Sequence, residues 1–156
     1  MAEPLRAVLY SLLFSALIVV ALIDWRTFEI PNGLNLAIFL LGAVQLAADA
    51  SHWKTYLIGM FSVSLFFLLL WFVTKGNGLG MGDVKLMAAA GLLLGWQRIL
   101  LAMILGSVSG AIIHSVRMKR GAPRKLAFGP YLAAGIWVAA LWGDRLIAAY
   151  LGLFGL

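Results

Sequence analysis

Between Lys54 and Lys75 the chain carries no charged residue, and the stretch from Tyr56 to Val73 is strongly apolar throughout. A run of that length is enough to cross the hydrocarbon of a bilayer as a helix. Inside lipid every backbone N–H and C=O must be satisfied within the segment, so helix is the form such a run takes. The rest of the sequence repeats the pattern. Ala7 to Ile23, about Leu34 to Ala48, about Asp83 to Gly95-Trp96, Ile99 to Val116 and the run from Tyr131 onward are all apolar. With 63% hydrophobic residues, 12% charged and a mean hydropathy of +1.01 over 156 residues, no soluble domain of this size could hide its apolar surface. The expected fold is all-α: a polytopic membrane protein of about six transmembrane helices, residues 1–156 forming one membrane-embedded domain.

The polar punctuation sets the boundaries. Asp24-Trp25-Arg26 closes the first helix, and Pro31 is well placed for the first turn of the second. That first run lacks a small-residue cleavage site and carries an acid at its end, so it reads as a retained helix rather than a signal peptide. Asn35 and Gln45, within the second helix, need interior partners or an interface. Gln97-Arg98 interrupts the apolar pattern and divides a fourth helix from a fifth; one long tilted helix is the alternative. A tail from Ile147 to Leu156 extends the last helix or lies along the surface.

The formal charge of +6 does not indicate nucleic acid, because the basic residues sit in short turns between apolar runs. With six spans, Arg26, Lys75, Lys85, Arg117, Lys119, Arg120, Arg124 and Lys125 fall on one face, and Arg6, Lys54, Arg98 and Arg145 on the other. The richer face is expected to be cytoplasmic, with both termini outside. Absence of cysteine excludes disulfides and any thiolate-bound zinc.

Chemistry concentrates in Gly76-Asn77-Gly78-Leu79-Gly80-Met81-Gly82-Asp83-Val84-Lys85-Leu86. Alternate glycines leave a backbone that another group can approach closely, which suits a cleft. The loop ends on a carboxylate at the mouth of a membrane helix, a costly placement that marks a functional group by default. Asp24 lies two crossings away and therefore at the same face. Taken singly, an acid at a helix boundary is more often a cap or an interfacial anchor. Two acids at one face, one of them in a four-glycine loop, suit acid–base activation of water, since neighbouring carboxyl groups resist double ionisation. The helix ends suggest roles: Asp24, at the negative end of its helix, the readier acid, and Asp83, at a positive end, the readier base. As a coupled pair they can also share the proton. Phosphate binding fits poorly. No Gly-Lys-Ser/Thr follows the loop, and a membrane helix, not a strand, precedes it.

Other residues carry weaker signals. Lys85 could tune the charge of Asp83, hold anionic lipid or snorkel to the interface. The basic turn from Arg117 to Lys125 is explained by orientation alone, though acidic lipid or substrate would fit it. His114 reads as a buried, hydrogen-bonded histidine, with a proton relay as the sharper alternative. Asn32 reads as a cap for the second helix rather than an orienting group near Asp24. Gly91/Gly95 and Gly106/Gly110 are small-residue pairs for helix packing, and Trp25, Trp53, Trp71, Trp96 and Trp142 read as interfacial anchors.

Gly80-Met81-Gly82-Asp83-Val84-Lys85-Leu86, with Gly91 and Gly95-Trp96 after it, resembles the signature of the type IV prepilin peptidases, the Gly-x-Gly-Asp membrane aspartyl proteases. Asp24 followed by Ile30-Pro31-Asn32 resembles their first catalytic motif, and Phe128-Gly129-Pro130-Tyr131-Leu132 their C-terminal segment. The matches run from residue 24 to 132 in the family's order. The resemblance implies an aspartic endopeptidase in the cell inner membrane. It would cleave the short basic leader of type IV prepilins or pseudopilins on the cytoplasmic side, serving pilus assembly or protein secretion. Asp24 and Asp83 match the catalytic pair, with Gly80, Gly82 and Lys85 in the active-site loop. It implies no metal or organic cofactor. Because the chain starts almost at its first helix and has no Cys-x-x-Cys, the resemblance points to a short, peptidase-only form. The rival from another class is a small transporter subunit using paired intramembrane acids for protons or cations; no repeat-related halves support it.

Overall fold

The computed structural model describes residues 3–121 and 126–153. Six helices follow one another: α1 (Glu3–Thr27), α2 (Asn32–Ala48), α3 (Trp53–Thr74), α4 (Met81–Leu94), α5 (Trp96–Lys119) and α6 (Gly129–Leu153), with a 3₁₀ turn at Ala50–His52 before α3. Among the described residues there is no strand. Four of the helical stretches, Pro4–Thr27, Ala50–Thr74, Trp96–Lys119 and Gly129–Leu153, are long and apolar enough to cross a membrane. The chain is a multi-pass α-helical membrane protein. Its outer surface is what a bilayer requires: Leu36, Leu40, Phe72, Val73 and Ile112 all face outward.

α4 is built differently from the helices around it. At 14 residues it rises only about 21 Å, short of a bilayer's roughly 30 Å of hydrocarbon. Ten of its residues are buried, on every side of the helix, as expected of a helix apolar all round. It lies against α2 and α3, and this short central helix carries Asp83 at its start.

In lipid, apolar side chains gain nothing by leaving solvent, so close backbone packing must hold helices together. Glycine supplies it here. The Cβ that any other residue would place at Gly91 runs into the carbonyl of Gly59, and one at Gly59 runs into that of Gly91. Across α5 and α6, a Cβ at Gly106 would meet the Leu132 backbone at 3.0 Å, and one at Gly135 would strike the Ala102 carbonyl. Both pairs of helices run antiparallel. With Gly59 opposite Gly91, Asp83 falls level with Phe67, about 10 Å inside the end of α3 at Thr74. The glycine loop therefore dips into the bundle.

Several sequence expectations are corrected in detail. Helices four and five are separate, but the break falls at Gly95, whose φ of 84° only glycine adopts readily, and Arg98 lies inside α5. Asn32 does not cap α2; Pro31 occupies that position, and Asn32 is the first helical residue. Asn35 and Gln45 do find interior partners, the Gly82 carbonyl and the Tyr56 hydroxyl. The tail continues α6 as far as Leu153. Arg124 and Lys125 lie outside the described residues.

Candidate active site

Asp24 stands one turn before the end of α1, 4% exposed. Its Oδ2 accepts a hydrogen bond of 2.8 Å from the N–H of Gly129, the first residue of α6. A Cβ at position 129 would lie 2.8 Å from that oxygen, so glycine is what lets the helix start come this close. Pro130 follows, in the first turn, where its missing N–H leaves nothing unsatisfied. After Asp24 the chain turns sharply through Phe28, whose φ of 59° puts a bulky residue in the left-handed region at a cost of about 1–2 kcal/mol. Such strain clusters at working sites, and Phe28 forms part of the cavity wall.

Asp83, 6% exposed, is the third residue of α4. Its Oδ2 accepts from the Gly80 N–H at 3.1 Å and so caps its own helix. Its Oδ1 is buried with no hydrogen-bond partner among the described residues. Capping thus occupies one oxygen of this carboxylate and leaves the other without a partner among the described residues. A buried acceptor left open costs free energy, and sites of chemistry are where that cost is retained.

Asp24, Asp83, Gly80, Gly82 and Lys85 all line one cavity of about 610 Å³. Two side-chain links join the segment that carries Asp83 to the helix that follows Asp24. Lys85 Nζ donates to Asn32 Oδ1 at 2.8 Å, and Asn35 Nδ2 donates to the Gly82 carbonyl at 3.3 Å. Gly82 also packs against Ile30, where a Cβ would sit 2.9 Å from the Ile30 Cβ. The start of α4 is in this way pinned to the start of α2, just after the turn that leaves Asp24. Lys85 serves as a strut between helices, a role outside the three the sequence suggested for it.

The helix-dipole contrast drawn from sequence does not separate the two acids. Asp24 ends α1 but also meets the N-terminus of α6, so each carboxylate faces a positive helix end. Trp71, half-buried near the end of α3, also lines the cavity. Trp25, Trp53, Trp96 and Trp142 are partly to well exposed, with the Arg117 guanidinium 4.5 Å over the ring of Trp25. His114 is half-buried on α5 rather than buried, and does not line the cavity. Glu29, Leu126 and Phe128 do line it. Sequence alone offered a motif at Phe128 but no signal for Glu29 or Leu126. Among the described residues, no three His, Asp or Glu side chains gather to hold a metal ion.

Fold and site together define a class: a multi-pass α-helical membrane protein whose helix ends bring two buried carboxylates into one recessed, glycine-walled cavity. The chain matches the Type IV leader peptidase family over residues 11–115, and it belongs to that family. It is 35% identical over 151 residues to a prepilin leader peptidase/N-methyltransferase of Stutzerimonas stutzeri, covering 90% of this chain and 51% of that protein. Proteins of the same name from Pseudomonas aeruginosa (33% identical, covering 92% of this chain and 52% of that protein) and Bacillus subtilis (34%, 88% and 56%) are similarly related. The chain thus spans about half the length of these relatives. No solved structure matches it.

Proposed function

We propose that the chain is an aspartic endopeptidase that removes the leader from type IV prepilins or pseudopilins at the cytoplasmic boundary of the cell inner membrane. The observation that carries this reading is the cavity that Asp24 and Asp83 share, each of them nearly buried. Two such carboxyls hold one proton between them, because both cannot ionise cheaply in a poorly hydrated site. The ionised carboxylate takes a proton from water as the water oxygen bonds to the scissile carbonyl carbon. The protonated partner gives its proton to the carbonyl oxygen. Collapse of the tetrahedral intermediate then breaks the C–N bond, and a carboxyl proton passes to the leaving amine.

Family membership and the names of the relatives support a prepilin as substrate. The greater share of Lys and Arg at the end holding the acids supports the cytoplasmic placement. The recessed position of Asp83 suits a substrate whose cleavage point lies beside a membrane-embedded segment.

The test is co-expression with a leader-bearing prepilin, read as a shortened band on a gel. Wild type should process it. Asp24→Asn and Asp83→Asn should each lose at least about a hundredfold in rate, the range for loss of a general acid or base. Full processing by either variant overturns the reading.

A further inference from the structure

The end of the bundle opposite Asp24 and Asp83 holds a second polar cleft that peptide cleavage leaves unused. A cavity of about 420 Å³ there takes Arg6 and Tyr10 from α1, Arg98 from α5 and Asp144 from α6 into its wall. Arg98 is the centre of this cluster, its side chain only 14% exposed. It donates through Nε to Asp144 Oδ1 at 2.9 Å and through Nη1 to the Tyr10 hydroxyl at 2.6 Å. Arg6 reaches the same hydroxyl oxygen through Nη2 at 3.4 Å, with its guanidinium 5.4 Å from the centre of the Tyr10 ring.

Two consequences follow from donor and charge accounting. The Tyr10 oxygen accepts from two guanidinium groups, so its own hydrogen points away from both, and no acceptor among the described residues takes it. Two guanidinium charges converge on one carboxylate, Asp144, which is 74% exposed and satisfied by Arg98 alone. Across the cavity the Asp49 carboxylate is held by His52 and Tyr56 rather than by Arg6. Among the described residues, Arg6 therefore has no carboxylate in ion-pair contact and the Tyr10 hydrogen has no acceptor.

The cleft also continues into a second hollow of about 320 Å³ that shares the Arg6, Tyr10, Arg98 and Asp144 side chains. Its remaining wall is apolar, formed by Ala7, Ala140, Leu141 and Gly143. Trp53, Trp96 and Trp142, all partly exposed at this end, mark the depth at which lipid headgroups lie. A donor-rich pocket beside an apolar track at headgroup depth has the polarity of one molecule. We propose that this cleft binds a phospholipid, its phosphodiester held by Arg6, Arg98 and the Tyr10 hydroxyl and an acyl chain lying along Leu141.

The full chain, purified in mild detergent, would be offered phosphatidylglycerol, diacylglycerol with the same acyl chains, or glycerol phosphate, and bound adducts counted by native mass spectrometry. Wild type should retain one phosphatidylglycerol, form no diacylglycerol adduct and release no lipid to glycerol phosphate. Arg6→Gln combined with Tyr10→Phe should lower occupancy roughly tenfold, as expected for loss of charge-assisted hydrogen bonds. Arg6→Lys should keep most of it, and Arg117→Gln, at the other end, all of it. Unchanged occupancy in the double variant overturns the proposal, as does equal uptake of diacylglycerol. Equal loss in Arg117→Gln would reduce the effect to net charge, and displacement by glycerol phosphate would remove the lipid. Either result also defeats it. Circular dichroism of each variant separates these outcomes from misfolding.

Discussion

Both ends of the bundle bury polar side chains, and they treat them in opposite ways. At the end holding Arg98, both carboxylates meet side-chain donors: Asp144 meets Arg98, and Asp49 meets His52 and Tyr56, which in turn takes Gln45. At the end holding the catalytic candidates, carboxylates are met by backbone N–H groups from helix starts, and the nearby cation, Lys85, is turned onto an uncharged amide. Side-chain pairs rigidify a membrane fold, whereas a buried carboxylate capped by helix-start N–H groups suits proton exchange. The first arrangement reads as structure and the second as chemistry. The distinction can be broken at several points.

The sharpest break is at Gly129. Gly129→Ala should push Asp24 from its position, because the added Cβ meets Oδ2 at 2.8 Å. A misplacement of this kind costs about a hundredfold in rate. The measurement is processing rate at saturating prepilin, which should fall while the variant still folds. Retained activity would mean that Asp24 can move without loss, and the contrast between the two ends would weaken. Gly91→Val makes the opposite comparison. It forces α3 from α4 near the middle of the bundle, and should lower thermal stability and activity together.

Lys85→Met should have a smaller effect, roughly tenfold on kcat with KM little changed, because it removes one of two links between α2 and α4 and leaves both acids in place. Lys85→Arg should recover part of the rate by reaching Asn32. A large rise in KM instead would show Lys85 binding substrate rather than positioning Asp83.

Much of this arrangement was legible before any coordinates. Tandem apolar runs fix the helix count, and crossing parity alone puts Asp24 and Asp83 at one end. What could not be read is what depends on three-dimensional register. The Gly59 contact with Gly91 is set by the approach of two backbones, and nothing in the spacing of Gly59 announces it. Asn32 carried the better local reading as a cap, and only the docking of α4 turns it toward Lys85. Helix ends do not by themselves tell acid from base here, because α6, distant in sequence, delivers its N-terminus to Asp24. A dipole argument made from one helix is incomplete wherever a second helix starts nearby.

At the matched end, Tyr56→Phe should leave prepilin cleavage within about twofold of wild type. It removes the hydroxyl that accepts from Gln45 Nε2 and donates to Asp49, leaving a buried donor unsatisfied at a cost of about 1–3 kcal/mol. Thermal unfolding in detergent should register that loss. If cleavage falls with stability intact, the far end takes part in the reaction and the division between the ends does not hold.

The smallest effect concerns Asp49, outside the spanning helices. Hydrogen bonds from His52 first, then from Tyr56, hold its carboxyl down at about 2, against 3.8 for an ordinary aspartate. The folded protein thus binds this proton more weakly than the unfolded chain does. Stabilisation from Asp49 is complete above about pH 4 and is lost progressively as pH falls toward 2. Asp49→Asn removes the ionisable group, so between pH 4 and 2 its unfolding midpoint should change less steeply than that of wild type. Parallel curves for the two proteins would mean that the Asp49 network is not held in the folded state, and that the far end is less firmly matched than its geometry indicates.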